Sequence, residues 1–330
     1  MESIDSLLLG NTKGILHLRA TIAQVAASSA SVLVRGETGT GKELVAQAIH
    51  LTSSRALLPM VKVHCAALPE TLLESELFGF EAGAFTGAAK RHVGRVERAA
   101  GGTLFLDEVG EIPVPMQAKL LRLLQDREYE RLGSSDVRRT DARFVAATHR
   151  DLERMVAEGS FREDLMYRLN VVTLWVPPLR ARRDDIPLLA SRFCEHHAAK
   201  QGKALSISAE ALSALRVKRW PGNVRELNNL VERVVTLASR GELGPRDFDA
   251  ADERVEFKTE TVPQRDGVSA ATPASEVPGS LRLDDRLREA EKRALLAALE
   301  HAGGNRSAAA KLLGISRGTL YTKLAEHGLL

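Results

Sequence analysis

Gly36-Glu37-Thr38-Gly39-Thr40-Gly41-Lys42 has the residue types and spacing of a phosphate cradle. Its glycines let backbone N–H groups face phosphate oxygens, the following helix adds favourable potential, and Lys42 would neutralise the β- and γ-phosphates. The string follows the apolar run Ser31–Arg35 and opens a helical pattern, which is the strand–loop–helix setting such a loop requires. One position departs from the general rule. A Ser or Thr hydroxyl usually ligates magnesium after the lysine; here the residue is Glu43, whose carboxylate would organise the metal through water. Further on, the apolar run Thr103–Leu106 ends in Asp107-Glu108. At a strand's C-terminal end, Asp107 can hold Mg²⁺ and Glu108 can polarise an attacking water. Together these groups specify nucleotide hydrolysis.

Several elements must bring them together. Ser31–Arg35, Met60–Val63, Thr103–Leu106 and Arg143–Ala147 read as buried strands, while Lys42–Leu51 and Pro115–Gln125 carry helical spacing. Strands alternating with helices predict a mainly parallel sheet covered on both faces. From about Asp184 to Ser239 the pattern is purely helical and predicts a smaller α-helical subdomain. Residues 241–280 combine scattered charge, Pro and Ser with no sustained period and read as a flexible linker. Helical periodicity resumes at Leu281. The expected domains are therefore an α/β nucleotide-hydrolysing subdomain over 1–178, a helical subdomain over 179–240, the linker over 241–280 and a small all-α domain over 281–330.

A length of 330 residues fits this division, since one core rarely serves so long a chain. With 44% hydrophobic and 27% charged residues, composition excludes a disordered chain, a collagen-like repeat and a disulfide scaffold. No apolar stretch is long enough to span a bilayer, and the start MESIDSLLLGNTKG lacks a signal-peptide pattern. Cys65 and Cys194 have no metal-binding spacing. The expected location is the cytoplasm. Lys and Arg number 33 against 28 Asp and Glu over residues 1–240, 4 against 9 over 241–280, and 9 against 6 over 281–330. A small basic unit behind an acidic spacer points toward nucleic acid.

Between the two nucleotide motifs lies Gly83-Ala84-Phe85-Thr86-Gly87-Ala88, a glycine-flanked loop with an aromatic ring and a hydroxyl at its tip. Exposing Phe85 to water is unfavourable without a partner, so the pattern predicts a mobile loop that presents Phe85 and Thr86 to another protein. This string resembles the defining motif of the bacterial enhancer-binding proteins, AAA+ ATPases that activate sigma-54 RNA polymerase. The resemblance extends over GETGTGKE, ESELFGFEAGAFTGA, GGTLFLDE, FREDLMYRLNV and WPGNVREL, and covers about residues 5–240 and 285–330. Glu43 is typical of that family.

The resemblance implies an AAA+ core with ATP and Mg²⁺ as cofactors. It implies that Gly83–Ala88 contacts the sigma factor and couples hydrolysis to remodelling of the closed promoter complex. Arg162 and Arg168 match arginines that reach a neighbouring subunit's nucleotide, so a ring, a hexamer in this family, is implied. Arg225 matches the sensor arginine of the lid. The family usually has Asn at two positions that are His64 and His149 here. A neutral imidazole donates one hydrogen bond much as Asn does, so simple replacement is one expectation. The sharper one is that protonated His64 pairs with Glu108 and restrains it in a pH-sensitive way.

Residues 286–300 read as an amphipathic helix, with Leu287, Ala290, Ala294, Leu295 and Ala298 toward one side. In the stretch Asn305–Leu324, small alanines allow close helix approach, Gly314 permits a tight turn and Ser316 caps a second helix running to Glu326. This is a helix-turn-helix and resembles the Fis-type domain that ends the same family. Arg306, Ser316, Arg317, Thr319, Tyr321 and Lys323 are its expected contacts to double-stranded DNA. Because the ATPase pattern begins within about ten residues, a short form without an N-terminal regulatory domain is expected, controlled by a separate inhibitor protein. The expected function is an ATP-driven activator acting on the sigma-54 RNA polymerase holoenzyme. The rival is a nucleotide-binding DNA-binding repressor that makes no sigma-factor contact.

Overall fold

Side-chain alternation along the central strands decides the layering. In the computed structural model, which describes residues 4–67, 69–239, 241–253, 283–303, 305–327 and 329, five strands form one sheet. They are β1 (Val32–Arg35), β2 (Met60–His64), β3 (Thr103–Asp107), β4 (Arg143–Thr148) and β5 (Val172–Trp175). The order is β2-β3-β4-β1-β5, and every pairing is parallel. Val32, Val34, Phe105, Val145 and Ala147 face the helices Lys13–Ala26 and Lys42–Leu51. Leu33, Leu104, Leu106, Phe144 and Ala146 face the opposite layer, where Glu70–Phe78, Val114–Asp126 and Glu163–Leu169 pack. A period of two in the strands thus feeds two cores, one on each side.

The expected parallel sheet is present, with one strand more than the sequence pattern indicated. β5 is an edge strand in which only Leu174 is buried, so its apolar signal is weak. β2 and β3 each run one residue further than their apolar runs, and this sets His64 beside Asp107 in register.

The helical subdomain packs Ile186–Lys200, Ala209–Val217 and Asn223–Leu237 around Leu189, Leu215, Trp220, Leu227 and Val231. Two expectations require correction here. The segment is not purely helical, because Leu205–Ile207 pairs in parallel with Gly241–Leu243. Nor does the linker begin at 241: the helix Pro245–Glu253 buries Phe248 and Ala251 in the same core. Those three buried apolar groups, Leu243 included, are enough to hold 241–253 on the lid. The rest of the expected linker, 254–280, lies outside the described residues.

The chain divides into two compact units, Met1–Thr259 and Glu260–Leu330. In the second, the helices Leu283–His301, Arg306–Leu312 and Arg317–Glu326 enclose Leu295, Ala298, Ala309, Ala310, Leu320 and Leu324. Asn305 and Ser316 cap the latter two helices with side-chain oxygens, as their residue types favour. Of the expected apolar side of the first helix, Leu295 and Ala298 are buried and Ala294 is exposed, while the Leu287 and Ala290 side chains lie outside the described residues.

Both cysteines are buried and unpaired. Burial, reinforced by the Asp107 and Glu108 charges, pushes the Cys65 thiol up to about 12, and burial also raises that of Cys194. Since the thiolate is the reactive form, both thiols are expected to resist an aromatic disulfide reagent at pH 8. Two thiols should titrate after unfolding; rapid reaction of the native protein would contradict the burial.

Candidate active site and remodelling loop

The phosphate loop leaves β1 at Gly36 and enters the helix Lys42–Leu51 through Gly41 in a left-handed conformation (φ 100°). Lys42 is buried, and its Nζ donates to the Gly36 carbonyl at 3.1 Å. The same Nζ lies 3.2 Å from Glu108 Oε1, so the two motifs meet in one cleft of about 570 Å³. Thr38, Gly39, Gly41, Glu43, His64, Asp107, His149 and Arg225 also line it.

Glu108 follows β3 in a left-handed conformation (φ 55°, ψ 52°) that is costly for a side chain with a Cβ. The turn aims its carboxylate into the cleft. Oε2 accepts from the His149 backbone N–H at 3.1 Å and from His149 Nδ1 at 2.7 Å. Burial pushes the Glu108 carboxyl up, but the His149 bond and the Lys42 charge outweigh it and hold the group below the usual range. Asp107 behaves oppositely. Burial and the neighbouring Glu108 charge raise it, against the pull of His64 and Lys42.

The expected pairing of His64 with Glu108 is corrected. His64 Nδ1 sits 3.1 Å from Asp107 Oδ2, because the parallel register makes those two residues neighbours. The histidine on Glu108 is His149. Glu43 pairs with Lys62 at 2.5 Å on the rim of the cleft.

The lid closes one wall and is bonded directly to the phosphate loop. Asn223, fully buried, donates through Nδ2 to Thr38 O at 3.0 Å and Glu37 Oε2 at 3.2 Å, and accepts from Leu179 N–H at 2.8 Å. The Arg225 N–H donates to Gly39 O at 3.2 Å, and Arg180 grips Glu37 with both guanidinium nitrogens at 2.6 and 2.5 Å. Gly39 has φ +78°, and an added Cβ would be driven into the Gly222 carbonyl. Gly39→Ala is therefore expected to weaken nucleotide binding roughly tenfold or more, from left-handed strain of about 1–2 kcal/mol plus displacement of the lid. Titration with a fluorescent ADP analogue measures this.

The loop between the motifs rests on two small antiparallel ladders. Gly79–Phe80 pairs with His92–Val93, and Glu128–Tyr129 pairs with Arg138–Arg139. A bridge between Phe80 and Leu132 joins them. Gly83 N–H donates to Ala88 O at 2.8 Å and closes the loop, with Gly83 and Gly87 both at positive φ. Thr86 is exposed, while Phe85 is 46% exposed and meets Phe80 edge-on at 4.9 Å between ring centroids. Beneath the loop, the guanidinium of Arg131 is fully buried between Glu81 (2.6 Å) and Glu97.

Comparison with known proteins decides what this combination is. Residues 8–175 match the sigma-54 interaction domain, 180–263 the AAA+ ATPase lid domain and 286–327 the bacterial regulatory protein, Fis family. The chain belongs to the sigma-54-dependent transcriptional activators. It is 48% identical over 325 residues to the regulatory protein AtoC of Escherichia coli K12, covering 98% of this chain and 68% of AtoC. The transcriptional regulatory protein ZraR of the same organism is also 48% identical, over 97% of this chain and 68% of ZraR. The crystal structure of NtrX from Brucella abortus in complex with ATP superposes with a TM-score of 0.67 at 36% identity, over 97% of this chain and 69% of NtrX.

The activator's other expected residues are distributed as follows. Arg162 pairs with Asp164 at 2.7 Å, and Arg168 Nε donates to Leu124 O at 3.2 Å; both are exposed and neither lines this chain's own cleft. On the second unit, Arg306 lies over the Tyr321 ring at 5.3 Å, and Arg317 is exposed. The Ser316 and Thr319 hydroxyls are 2.8 Å apart at the start of the helix. Lys323 pairs with Glu291, which also takes His327 Nε2 at 3.1 Å. The sequence pattern missed Asn223, Arg180 and Arg131. Asn223 stands inside WPGNVREL and was within reach of notice, whereas Arg180 and Arg131 reveal themselves only by their partners. Among the described residues no helix is long and apolar enough to cross a membrane.

Proposed function

We propose that the activator couples ATP hydrolysis in the Lys42–Glu108 cleft to remodelling of the sigma-54 polymerase closed complex through Gly83–Ala88. The observation that carries this is the meeting of both motifs in one cleft, with a separate exposed loop built on β-ladders. Lys42 neutralises the transferring phosphates. Glu108 polarises the attacking water, and its depressed carboxyl supports a base that is ionised at neutral pH. Arg225 senses the γ-phosphate from the lid. Arg162 and Arg168 act on the nucleotide of a neighbouring subunit, an assignment supported by their exposure away from their own cleft. The active form is then a ring, a hexamer in our reading, working in the cytoplasm and bound to upstream double-stranded DNA through Arg306, Ser316, Arg317, Thr319, Tyr321 and Lys323. A separate inhibitor protein controls it.

Mg²⁺ fits the donors. Asp107 and Glu108 form an acidic pair whose mutual repulsion a cation would relieve, and Glu43 lines the same cleft. Among the described residues no group of three His, Cys, Asp or Glu side chains makes a closed metal site. A hard cation that keeps waters and shares phosphate oxygens needs few protein ligands. Bound there, it would neutralise charge on the phosphates.

The direct test is open-complex formation by sigma-54 polymerase on a supercoiled promoter with an upstream site. Open complexes should require ATP and fail with ADP. DNA binding and ATP hydrolysis without open complexes would overturn the coupling and assign the loop another target.

A further inference from the structure

Within the second unit, the cations expected to meet DNA are held in two different ways. Arg306 and Arg317 converge on Tyr321: Arg306 lies over its ring at 5.3 Å, and the two guanidinium groups hold its phenol below the ordinary range. Neither arginine has a carboxylate partner among the described residues. Lys323 has one, and it comes from another helix. Its Nζ donates to Glu291 Oε1, while Glu291 Oε2 lies 3.1 Å from His327 Nε2. Lys323 and His327 are one helical turn apart, so a single carboxylate of Leu283–His301 pins the end of Arg317–Glu326 at two points.

The two bonds differ in their surroundings. The His327 side chain is 9% exposed, that of Lys323 35% and that of Glu291 37%. A packed imidazole cannot follow a ligand outward, whereas an ammonium on a flexible four-carbon stem swings with little resistance. The Lys323 pair is open to solvent and therefore screened and weak. A DNA phosphate offers the lysine an equivalent charge-assisted partner. Glu291 is not stranded when Lys323 leaves, because His327 stays on Oε2. We propose that Glu291 is a competitor for Lys323: the lysine exchanges the carboxylate for a DNA phosphate when the third helix docks, and the pair it gives up lowers the affinity of the unit for duplex DNA. Phosphate contacts carry no base information, so the reduction falls equally on every sequence. This exchange rests on the reading of Lys323 as a DNA contact.

The test uses the full chain without nucleotide and a short fluorescein-labelled duplex of mixed sequence, titrated by anisotropy over a series of salt concentrations. Glu291→Gln keeps an amide oxygen for both partners but removes the charge. It should tighten binding about two- to fivefold at low salt, the range of an exposed ion pair, with the salt slope unchanged. Lys323→Gln should weaken binding and make the fall of log K with log salt shallower by about 0.9, the share of one phosphate. In the Lys323→Gln background, Glu291→Gln should add nothing, since the gain belongs to the pair. Glu300→Gln, on the same helix, controls for the loss of one negative charge, and thermal unfolding shows that each variant is folded. Weaker binding by Glu291→Gln would make the carboxylate a support for the lysine and overturn the competition. So would a gain that survives in the Lys323→Gln background, or an equal gain from Glu300→Gln, since either reduces the effect to net charge. A Lys323→Gln chain with the salt slope of wild type would remove the phosphate contact itself. Wild type that binds no duplex at any salt would overturn the DNA-contact reading and the exchange with it, whereas binding with none of these effects overturns the exchange alone.

Discussion

Glu108→Gln should leave ATP bound but lower turnover by roughly 10³-fold, within the 10²–10⁴ span that a positioned general base contributes. Glutamine is nearly isosteric, so the left-handed turn and the room around Lys42 and His149 are kept. What goes is the carboxylate that would take the water's proton. Affinity should hold or rise, because Glu108 competes for Lys42 in the empty cleft and its loss makes the lysine more available to phosphate. Steady-state hydrolysis and fluorescent-nucleotide binding, measured on the same preparation, separate the two effects. Retained turnover would place the base elsewhere, and Asp107, whose carboxyl is raised, would be the first alternative.

Thr86→Ala should reduce open-complex formation to background while ATP hydrolysis stays within a few-fold of wild type. Thr86 is exposed on a loop closed by its own Gly83–Ala88 hydrogen bond and carried on ladders away from the cleft residues. Removing one hydroxyl and one methyl there disturbs no buried contact. A loss confined to open complexes would therefore report a missing contact with the polymerase. Equal loss of hydrolysis would show that the loop feeds back on the site, through Arg131 and its two glutamates or another route. Complex formation is scored on a supercoiled template with hydrolysis followed in parallel.

The nucleotide motifs were legible because each is local: a strand, a loop and a helix start for one, a strand end with two acids for the other. Their convergence followed from parallel topology. Relations across the chain were not legible. Whether His64 serves Glu108 or Asp107 depends on where β2 and β3 stop, a matter of one residue beyond each apolar run. Asn223 and Glu37 are 186 residues apart, and nothing local to either announces the other. The lid's last helix was hidden because Pro245–Glu253 is mostly charged and polar, with Phe248 and Ala251 as its buried anchors. The ion pair of Lys323 with Glu291 joins two helices 32 residues apart, and neither residue type announces it.

The bonds that join Asn223, Arg225 and Arg180 to Glu37, Thr38 and Gly39 have a kinetic consequence. A lid fastened to the phosphate loop must break these bonds to swing, or carry the loop with it. Release of spent ADP is then expected to couple lid tilt to loosening of the phosphate grip. A mutation anywhere on that seam would change how long the product dwells, and so how long the protein holds the posture that follows hydrolysis.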